Sequence, residues 1–154
     1  HPACGICLMH MHRDPQTMQA APMDGDVVPE VRGFLERQAR ALAGLGVEAS
    51  RIVLDPGIGF GKTVAQNFSL LARQRELLAA GWPLLAGWSR KSSIGSVTGI
   101  AEAGERTVPS VAAAVLAVDR GAAIVRVHDV RETVAALAVW RAMAEQEQEQ
   151  ETNP

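Results

Sequence analysis

Apolar runs alternate with amphipathic stretches along the chain, and every apolar run is short. Four runs rich in valine, isoleucine and leucine predict buried strands, at residues 5–11, 51–54, 83–87 and 123–127. None of them alternates apolar with polar residues, which is typical of parallel strands that are covered on both faces. The pattern therefore favours a parallel sheet over an antiparallel one.

An amphipathic helical pattern follows each predicted strand. The stretch 28–45 shows it well, because its apolar residues recur at steps of three and four: Val28, Val31, Leu35 and Ala39. The other three helices are predicted at residues 67–80, 108–119 and 133–144. Four strand–helix units in succession predict an α/β protein with a parallel sheet.

This pattern predicts one domain over residues 1–144 and a polar tail over 145–154. The tail repeats glutamate and glutamine and has no apolar face, so we expect it to be disordered and solvated. The chain does not begin with methionine, and a strand is predicted almost at once. We therefore expect it to be a piece of a longer protein.

Four strand–helix units can form either a small doubly wound sheet or half of an eight-stranded barrel. Polar side chains decide between the two, because each predicted strand ends in at least one: His10, Asp55, Lys91 and His128. Ligands bind at the carboxyl ends of parallel strands in both folds. A spread over all four strands suits the rim of a barrel better than a single crevice, so we expect half of a (βα)8 barrel.

Composition and charge narrow the classes of partner. The formal net charge of the 154 residues is -2, with no basic excess, so we expect no nucleic-acid partner. No apolar run approaches the roughly 20 residues of a membrane span, and the first residues lack a signal-peptide pattern, so no membrane partner is expected. We expect Cys4 and Cys7 to be reduced and at least one of them to be packed in a strand, as fits a cytoplasmic protein.

A glycine-rich turn follows the second predicted strand and carries the strongest motif, D-P-G-I-G-F-G-K-T from Asp55 to Thr63. Its ending resembles a phosphate-binding P-loop, but that loop needs glycine where Pro56 stands, and proline has no N–H to offer a phosphate. A buried carboxylate that accepts two parallel N–H bonds suits the 2-amino-4-oxo edge of a pterin or a guanine. Asp55 is therefore the candidate group for binding such a ring, and capping of the next helix is the alternative.

Cationic and imidazole side chains follow the third and fourth strands. Arg90 and Lys91 stand together after the third strand. Arg126 and His128 share one face of the fourth, because they are two residues apart. In eight-stranded barrels the loops after the last two strands often bind phosphate. These four groups predict a diphosphate site, and solvated surface charge is the alternative for Arg90 and Lys91.

A His-x-His pair, His10 and His12, ends the first predicted strand. Such a pair can belong to a metal site, but a metal needs further histidine or carboxylate ligands, and the chain has only 4 histidines. We expect no metal ligand in this chain. Met9 is the more suitable ligand contact, because its side chain is soft and adaptable.

Taken in order, these motifs resemble the dihydropteroate synthase family. The likeness runs from L-M-H-M at 8–11 through the turn at 55–63 to S-R-K-S at 89–92 and R-V-H-D-V at 126–130. It implies the C-terminal half of a pterin-binding TIM barrel, the (βα)8 fold, in a homodimeric enzyme. It also implies condensation of 6-hydroxymethyl-7,8-dihydropterin diphosphate with p-aminobenzoate, giving dihydropteroate and diphosphate in folate biosynthesis. We expect the fragment alone to be inactive.

The resemblance also implies roles for individual residues. Asp55 and Lys91 would be catalytic. The pterin pocket would comprise Met9, Asp55, Gly59, Phe60, Gly87 and Lys91. The p-aminobenzoate site would comprise Phe60, Ser89, Arg90 and Lys91. Arg126 and His128 would bind the diphosphate, assisted by Mg²⁺, whose protein ligands are expected in the missing N-terminal half.

The sequence also contains a departure from the family and leaves two other interpretations open. His12 and Arg13 replace the glutamine–glycine pair expected from the family, which alters the loop after the first strand. A related pterin-binding barrel, such as a methyltetrahydrofolate methyltransferase domain, would keep the aspartate but needs no diphosphate cluster. A half-barrel without catalytic activity would instead associate with itself to cover its open sheet edges.

Overall fold

The four predicted strands form one parallel sheet in the computed structural model, which describes residues 4–152. They are β1 (Ile6–Met9), β2 (Ile52–Asp55), β3 (Leu84–Ala86) and β4 (Ala122–Val125). Their order across the sheet is their order along the chain. Residues 1–3 and 153–154, at the start of the predicted domain and the end of the predicted tail, lie outside the described residues.

Helices connect and follow the strands. They are α1 (Val27–Gly44), α2 (Val64–Ala72), α3 (Gln74–Leu78), α4 (Ser92–Thr98), α5 (Thr107–Asp119) and α6 (Val130–Thr152), with 3₁₀ turns at Ala49–Arg51 and Ala103–Glu105. α1 begins where the Asp26 side chain accepts a hydrogen bond from the Val28 N–H at 3.1 Å. Its apolar stripe is buried, including Val31, Leu35 and Ala39. The 3.6-residue pattern of the sequence therefore marks the face that packs on the sheet.

Helices cover one face of the sheet. Ile52 and Leu54 of β2 are fully buried in one cluster with Val31 and Leu35 of α1. On the other face Ile124 of β4 is 45% exposed. A doubly wound sheet carries helices on both faces, whereas a half-barrel leaves its inner face open. The sequential strand order and the one-sided cover confirm the predicted half of a (βα)8 barrel, and the expectation of strands covered on both faces is wrong within this chain.

The helix predicted at 67–80 is two helices. α2 begins earlier, because the Thr63 side chain accepts from the Gln66 N–H while the Gln66 side chain accepts from the Thr63 N–H. The backbone leaves the helical conformation at Arg73 (φ -105, ψ 21) before α3 begins. The Arg73 guanidinium bonds Asp26 at 2.8 Å, which ties this junction to the start of α1.

The last helix is longer than predicted. α6 continues past residue 144 to Thr152, so the expectation of a disordered tail is wrong as far as the described residues extend. Alanine, glutamate and glutamine are strong helix formers, which lets the helix continue without an apolar face. α4 is not predicted, because its short polar sequence, S-S-I-G-S-V-T, has no apolar period.

Both cysteines are free and exposed. Cys7 lies in β1, but its side chain is not packed, so the expectation that at least one cysteine is buried in a strand is wrong. Partial burial, followed by the charge of the nearby Asp55 carboxylate, raises the pKa of the Cys7 thiol. None of the helices described is long and apolar enough to span a bilayer.

Candidate active site

Asp55 ends β2 with its carboxylate buried, and only 3% of the residue is exposed. One carboxylate oxygen accepts a hydrogen bond from the Gly57 N–H at 2.8 Å, which closes the turn after the strand. The other oxygen faces the Arg126 guanidinium at 3.7 Å. Thr63 caps α2, so the alternative in which Asp55 caps the next helix is wrong. Asp55 and Arg126 therefore lie on the same side of the sheet.

The turn after β2 passes so close to β1 that it requires glycine. Gly57 has φ +68, and a Cβ added there would lie 1.8 Å from the His10 carbonyl oxygen. The His10 N–H donates to the Asp55 carbonyl at 3.0 Å. Met9 is the register partner of Asp55 on the neighbouring strand. The ends of β1 and β2 therefore place Met9 next to Asp55, as a shared ligand site requires.

Lys62 closes the same turn and is buried, with 4% of the residue exposed. Its ammonium donates to the carbonyl oxygens of Gly57 at 2.9 Å and Phe60 at 3.1 Å, and it lies 3.0 Å from Nδ1 of His10. These partners occupy all three ammonium donors. The ammonium is therefore directed into its own loop, which agrees with the rejection of a P-loop.

Burial shifts the proton affinity of this pair. Desolvation, followed by the charge of Lys62, lowers the pKa of His10 to about 4, so the imidazole is neutral at pH 7 and Nδ1 can accept a hydrogen bond. Desolvation also lowers the pKa of Lys62 to about 8, although Asp55 opposes the shift. His12 accepts a hydrogen bond from its neighbour Arg13 at 3.2 Å. Both histidines of the His-x-His pair thus have protein partners.

Phe60 and Lys91 face each other between the second and third strand ends. The Lys91 ammonium lies 4.3 Å from the centroid of the Phe60 ring, within cation–π distance. A Cβ at Gly59 would lie 3.5 Å from Cδ of Lys91, so the lysine stem runs along this glycine. Burial, followed by the charge of Arg126, lowers the pKa of Lys91, and Asp55 opposes them. Three residues predicted for the pterin pocket are therefore close neighbours.

Gly87, directly after β3, makes room for Arg126. A Cβ at Gly87 would lie 2.6 Å from Nη2 of Arg126, so the guanidinium lies against bare backbone. The Arg126 N–H donates to the Ala86 carbonyl at 3.0 Å, and its side chain is 56% exposed. The arginine predicted to bind diphosphate therefore reaches across the end of β3 toward Asp55.

Side chains also join the loop after β3 to the loop after β4. Ser89 Oγ lies 2.9 Å from Nδ1 of His128 and accepts the His128 N–H at 3.1 Å. The Arg90 guanidinium donates to both carboxylate oxygens of Asp129, at 2.7 and 3.2 Å, which lowers the pKa of that carboxyl. Arg90 also has φ 61, which is uncommon for a residue with a side chain. Arg90, predicted for the p-aminobenzoate site, thus directs its guanidinium at Asp129.

A cavity of about 560 Å³ opens between these two loops. The described residues that line it are Gly87, Ser89, Arg90, Lys91, Ala103, Arg126, Val127 and His128. None of these residues carries a carboxylate side chain. A cationic cavity of this kind suits an anion, and the paired oxygens of a phosphate suit arginine. All four residues predicted for a diphosphate site therefore line one cavity, and Asp55 lies beside it.

Gly59 is held by polar residues for which the sequence predicts no role: Asn67, Gln19 and, through Asn67, Ser93. Asn67 Oδ1 accepts the Gly59 N–H at 2.9 Å, and Asn67 Nδ2 donates to Ser93 Oγ at 2.9 Å. Gln19 Nε2 donates to the Gly59 carbonyl at 2.7 Å. A signal for Asn67 is present in its spacing, because it lies three residues before Leu70 on the buried stripe of α2. Ser93 carries no comparable signal.

These residues alone do not form a magnesium site. Within residues 4–152, no group of three or more histidine, cysteine, aspartate or glutamate side chains is placed to hold a metal ion. Asp129 is paired with Arg90, and Asp55 faces Arg126. The carboxylates nearest the cavity thus have cationic partners, and the groups present do not fit a Mg²⁺ site.

Comparisons with known proteins agree with this geometry. A sequence model of the family described as pterin binding enzyme matches residues 2–128, and the chain belongs to this family. The dihydropteroate synthase of Neisseria meningitidis serogroup B is 51% identical over 142 residues, which cover 90% of this chain and 50% of that protein. The chain spans about half the length of the curated relatives it matches, and it corresponds to their C-terminal half.

Solved structures give the same result. Dihydropteroate synthase from Stenotrophomonas maltophilia superposes with a TM-score of 0.88 at 49% identity, covering 91% of this chain and 53% of that one. The enzyme from Xanthomonas albilineans, in complex with 7,8-dihydropteroate, superposes with a TM-score of 0.84 at 46% identity, covering 91% of this chain and 50% of that one. The chain therefore has the half-barrel fold of dihydropteroate synthases.

Proposed function

We propose that this chain is the C-terminal half of a dihydropteroate synthase, which joins 6-hydroxymethyl-7,8-dihydropterin diphosphate to p-aminobenzoate. The meeting of Asp55, Lys91 and Arg126 at one rim carries the proposal. The Asp55 carboxylate lies 3.7 Å from Arg126, and both groups influence the pKa of Lys91. A carboxylate for a flat ring and cations for a leaving group are what this condensation needs.

The pterin ring is assigned to the space in front of Asp55. The carboxylate would accept two N–H bonds from the pyrimidine edge of the ring, in the bidentate geometry that suits a planar donor pair. Met9 lies beside it on the neighbouring strand. The other walls are Gly59, Phe60, Gly87 and Lys91. The Xanthomonas albilineans relative, solved in complex with 7,8-dihydropteroate, supports a product of this class.

The diphosphate is assigned to the cationic cavity, with Arg126 and His128 as its ligands. During the reaction the C–O bond between the pterin CH₂ and the diphosphate breaks, and the electron pair leaves with the diphosphate. The amine nitrogen of p-aminobenzoate then forms the C–N bond and gives up a proton. Arg126 stabilises the negative charge that develops on the leaving group, while Asp55 faces the ring where positive charge develops.

The p-aminobenzoate is assigned to the position beside Phe60 and Lys91. The ring of Phe60 offers an aromatic face for stacking, and Lys91 offers a half-buried cation. Ser89 and Arg90 line the adjoining cavity and complete the predicted set. Lys91 thus adjoins the positions of both substrates, which agrees with a catalytic role.

The rest of the site is assigned to the half of the enzyme that this chain does not span. Ligands for Mg²⁺ would come from that half, because the described residues do not fit a metal site. The same half would supply the other four strands of the barrel. These strands would cover the inner face, where Ile124 is 45% exposed. No step of the proposed reaction is derived from the metal.

The complete enzyme is assigned as a cytoplasmic homodimer. Free thiols at Cys4 and Cys7 fit a reducing compartment.

An apolar groove of about 680 Å³ lies between α5 and α6, where Val108 is 79% and Val139 is 73% exposed. Apolar patches of this size on soluble proteins are typical of interaction surfaces, and a second copy is a self-complementary partner. V139E should convert a dimer into a monomer in analytical ultracentrifugation.

The two alternatives predict different results. A methyltetrahydrofolate methyltransferase domain has no use for a cationic cavity beside Asp55, so that cavity favours the synthase. A half-barrel without activity would associate with itself whether or not a substrate is present. Light scattering on this chain, with and without a pterin diphosphate, separates self-association from ligand binding.

The direct test uses a completed enzyme, defined as this chain joined behind the N-terminal half of the Neisseria meningitidis relative. It should form dihydropteroate from p-aminobenzoate and the pterin diphosphate, whereas this chain alone should form none. Circular dichroism checks that both proteins fold. A completed enzyme that folds, binds p-aminobenzoate and still makes no product would contradict the proposed function.

A further inference from the structure

Asn67 of α2 is buried, with 1% of the residue exposed, and both ends of its amide are bonded. Oδ1 accepts the Gly59 N–H at 2.9 Å, and Nδ2 donates to Ser93 Oγ at 2.9 Å. Gly59 belongs to the turn after β2, which carries Phe60. Ser93 belongs to the first turn of α4, directly after Lys91 and Ser92. One side chain therefore joins the two segments that carry Phe60 and Lys91.

These bonds lie next to the groups that the proposed reaction uses. The ammonium of Lys91 is 4.3 Å from the centre of the Phe60 ring, and its stem runs along Gly59. The Gly59 carbonyl accepts from Gln19, so Gly59 is held through both its N–H and its carbonyl. Because hydrogen bonds between buried groups do not compete with water, they hold their atoms in narrow geometry.

On the basis of the proposed function, we propose that Asn67 is a positioning residue that sets the separation of the Phe60 ring and the Lys91 ammonium. The proposed p-aminobenzoate position adjoins both groups, so their separation fixes the shape of that site. Without the amide, the Gly59 N–H loses its acceptor and α4 loses its bond to the turn, so the two segments can move apart. A displacement of about 1 Å can cost roughly 100-fold in a reaction that depends on alignment.

The test compares N67A and S93A with the control Q74A in the completed enzyme. Gln74 is an equally buried amide that donates to two backbone carbonyls at the end of α5, away from the site. All three variants should lose stability. N67A should raise the KM for p-aminobenzoate by roughly 10-fold to 100-fold, S93A should raise it less, and Q74A should leave it unchanged. Binding of inorganic diphosphate to the cationic cavity should change by less than about two-fold in N67A.

S93A removes a single hydroxyl, so it tests the proposal even where N67A does not fold. The double variant N67A/S93A should raise the KM for p-aminobenzoate no further than N67A alone, because Ser93 acts through the Asn67 amide. The role of Asn67 is overturned if the KM for p-aminobenzoate moves no more in N67A and S93A than in Q74A. An equal loss of diphosphate binding in N67A would overturn it as well. An unsubstituted completed enzyme that folds without making product overturns the proposed function instead.

Discussion

The ammonium of Lys62 lies 3.0 Å from Nδ1 of His10, and both side chains are almost fully buried. His10 follows β1, whereas Lys62 belongs to the turn after β2, so this contact links the first two strand ends. A buried cation without an anionic partner is costly unless hydrogen bonds satisfy it, and here three acceptors do so. The turn that carries Gly59 and Phe60 is thus held from inside by a charged group directed away from the ligand cavity.

Replacing Lys62 by methionine should lower the free energy of unfolding by on the order of 3 kcal/mol, because two buried carbonyls and a ring nitrogen lose their donor. Methionine keeps most of the stem volume, so lost packing contributes little. R40M is the control, since the Arg40 side chain is 73% exposed and its loss should cost no more than about 0.5 kcal/mol. Urea denaturation of the completed enzyme measures both. Equal midpoints for K62M and R40M would contradict the structural role of Lys62.

His10 should make stability depend on pH between about 4 and 6.5. Its pKa is lowered on folding, so the unfolded chain binds the proton more tightly in this window. The contribution of neutral His10 to the free energy of unfolding is therefore complete above pH 6.5 and is lost as the pH falls toward 4. H10Q keeps a side-chain acceptor for Lys62 but does not titrate, so it should reduce this loss by roughly 3 kcal/mol.

Chemical denaturation at several pH values, with wild type and H10Q side by side, measures the effect. Carboxylates that titrate below pH 5 act alike in both proteins, so the difference between them isolates His10. The same dependence on pH in both proteins would show that His10 is not the group responsible.

Asp55→Asn should weaken binding of a pterin by roughly 100-fold, because the amide cannot accept two parallel N–H bonds and carries no charge. Asp119→Asn is the matched control, since Asp119 lies at the opposite end of α5 from the site, where its carboxylate contacts Trp140 at 3.3 Å and Arg120 at 3.6 Å. Isothermal titration of the completed enzyme with a pterin gives both dissociation constants. Undiminished binding in D55N would remove Asp55 from its assigned role.

Arg90 and Asp129 should behave as one unit. R90Q and D129N should each weaken diphosphate binding to a similar extent, because either change releases the loop that carries Ser89 and Lys91. The double variant should bind diphosphate little more weakly than either single variant. A double-mutant cycle of unfolding free energies should give a coupling of about 1 kcal/mol between Arg90 and Asp129. A more exposed pair on α1, Arg32 with Glu36, should couple by no more than about 0.5 kcal/mol.

A direct contact of Arg90 with p-aminobenzoate gives a different result. R90Q would then raise the KM for p-aminobenzoate while D129N left it unchanged. Steady-state kinetics of the completed enzyme with both single variants therefore decides whether Arg90 binds this substrate or acts through Asp129.

The sheet and the groups along its rim could be predicted because both follow from local patterns. Short apolar runs mark the strands, and parallel strands necessarily bring Asp55, Lys91 and Arg126 to the same edge. The meeting of Asp55 with Arg126 at 3.7 Å confirms that prediction. Roles for these residues in binding or catalysis stay predictions until the variants are measured.

What the sequence could not predict depends on contacts between distant segments. The Arg73 guanidinium reaches Asp26, and Asn67 reaches Ser93, across 47 and 26 residues respectively. Asn67 has the spacing of a buried position, but nothing in the sequence connects it with Ser93 or connects Arg73 with Asp26. Arg90 looked like a free cation because Asp129, its partner, follows a different strand. Local propensity explains the longer α6, but the polar composition of residues 145–152 hid it.

The one-sided layer of helices also suggests a use. Because helices protect the outside of this half-barrel and its inner face stays open, the two halves of the proposed enzyme could be fused separately to two interacting proteins. Folate synthesis, and growth of a bacterium that depends on it, would then report whether those proteins meet inside the cell. The groups at the strand ends of this half would contribute to a signal only after reassembly.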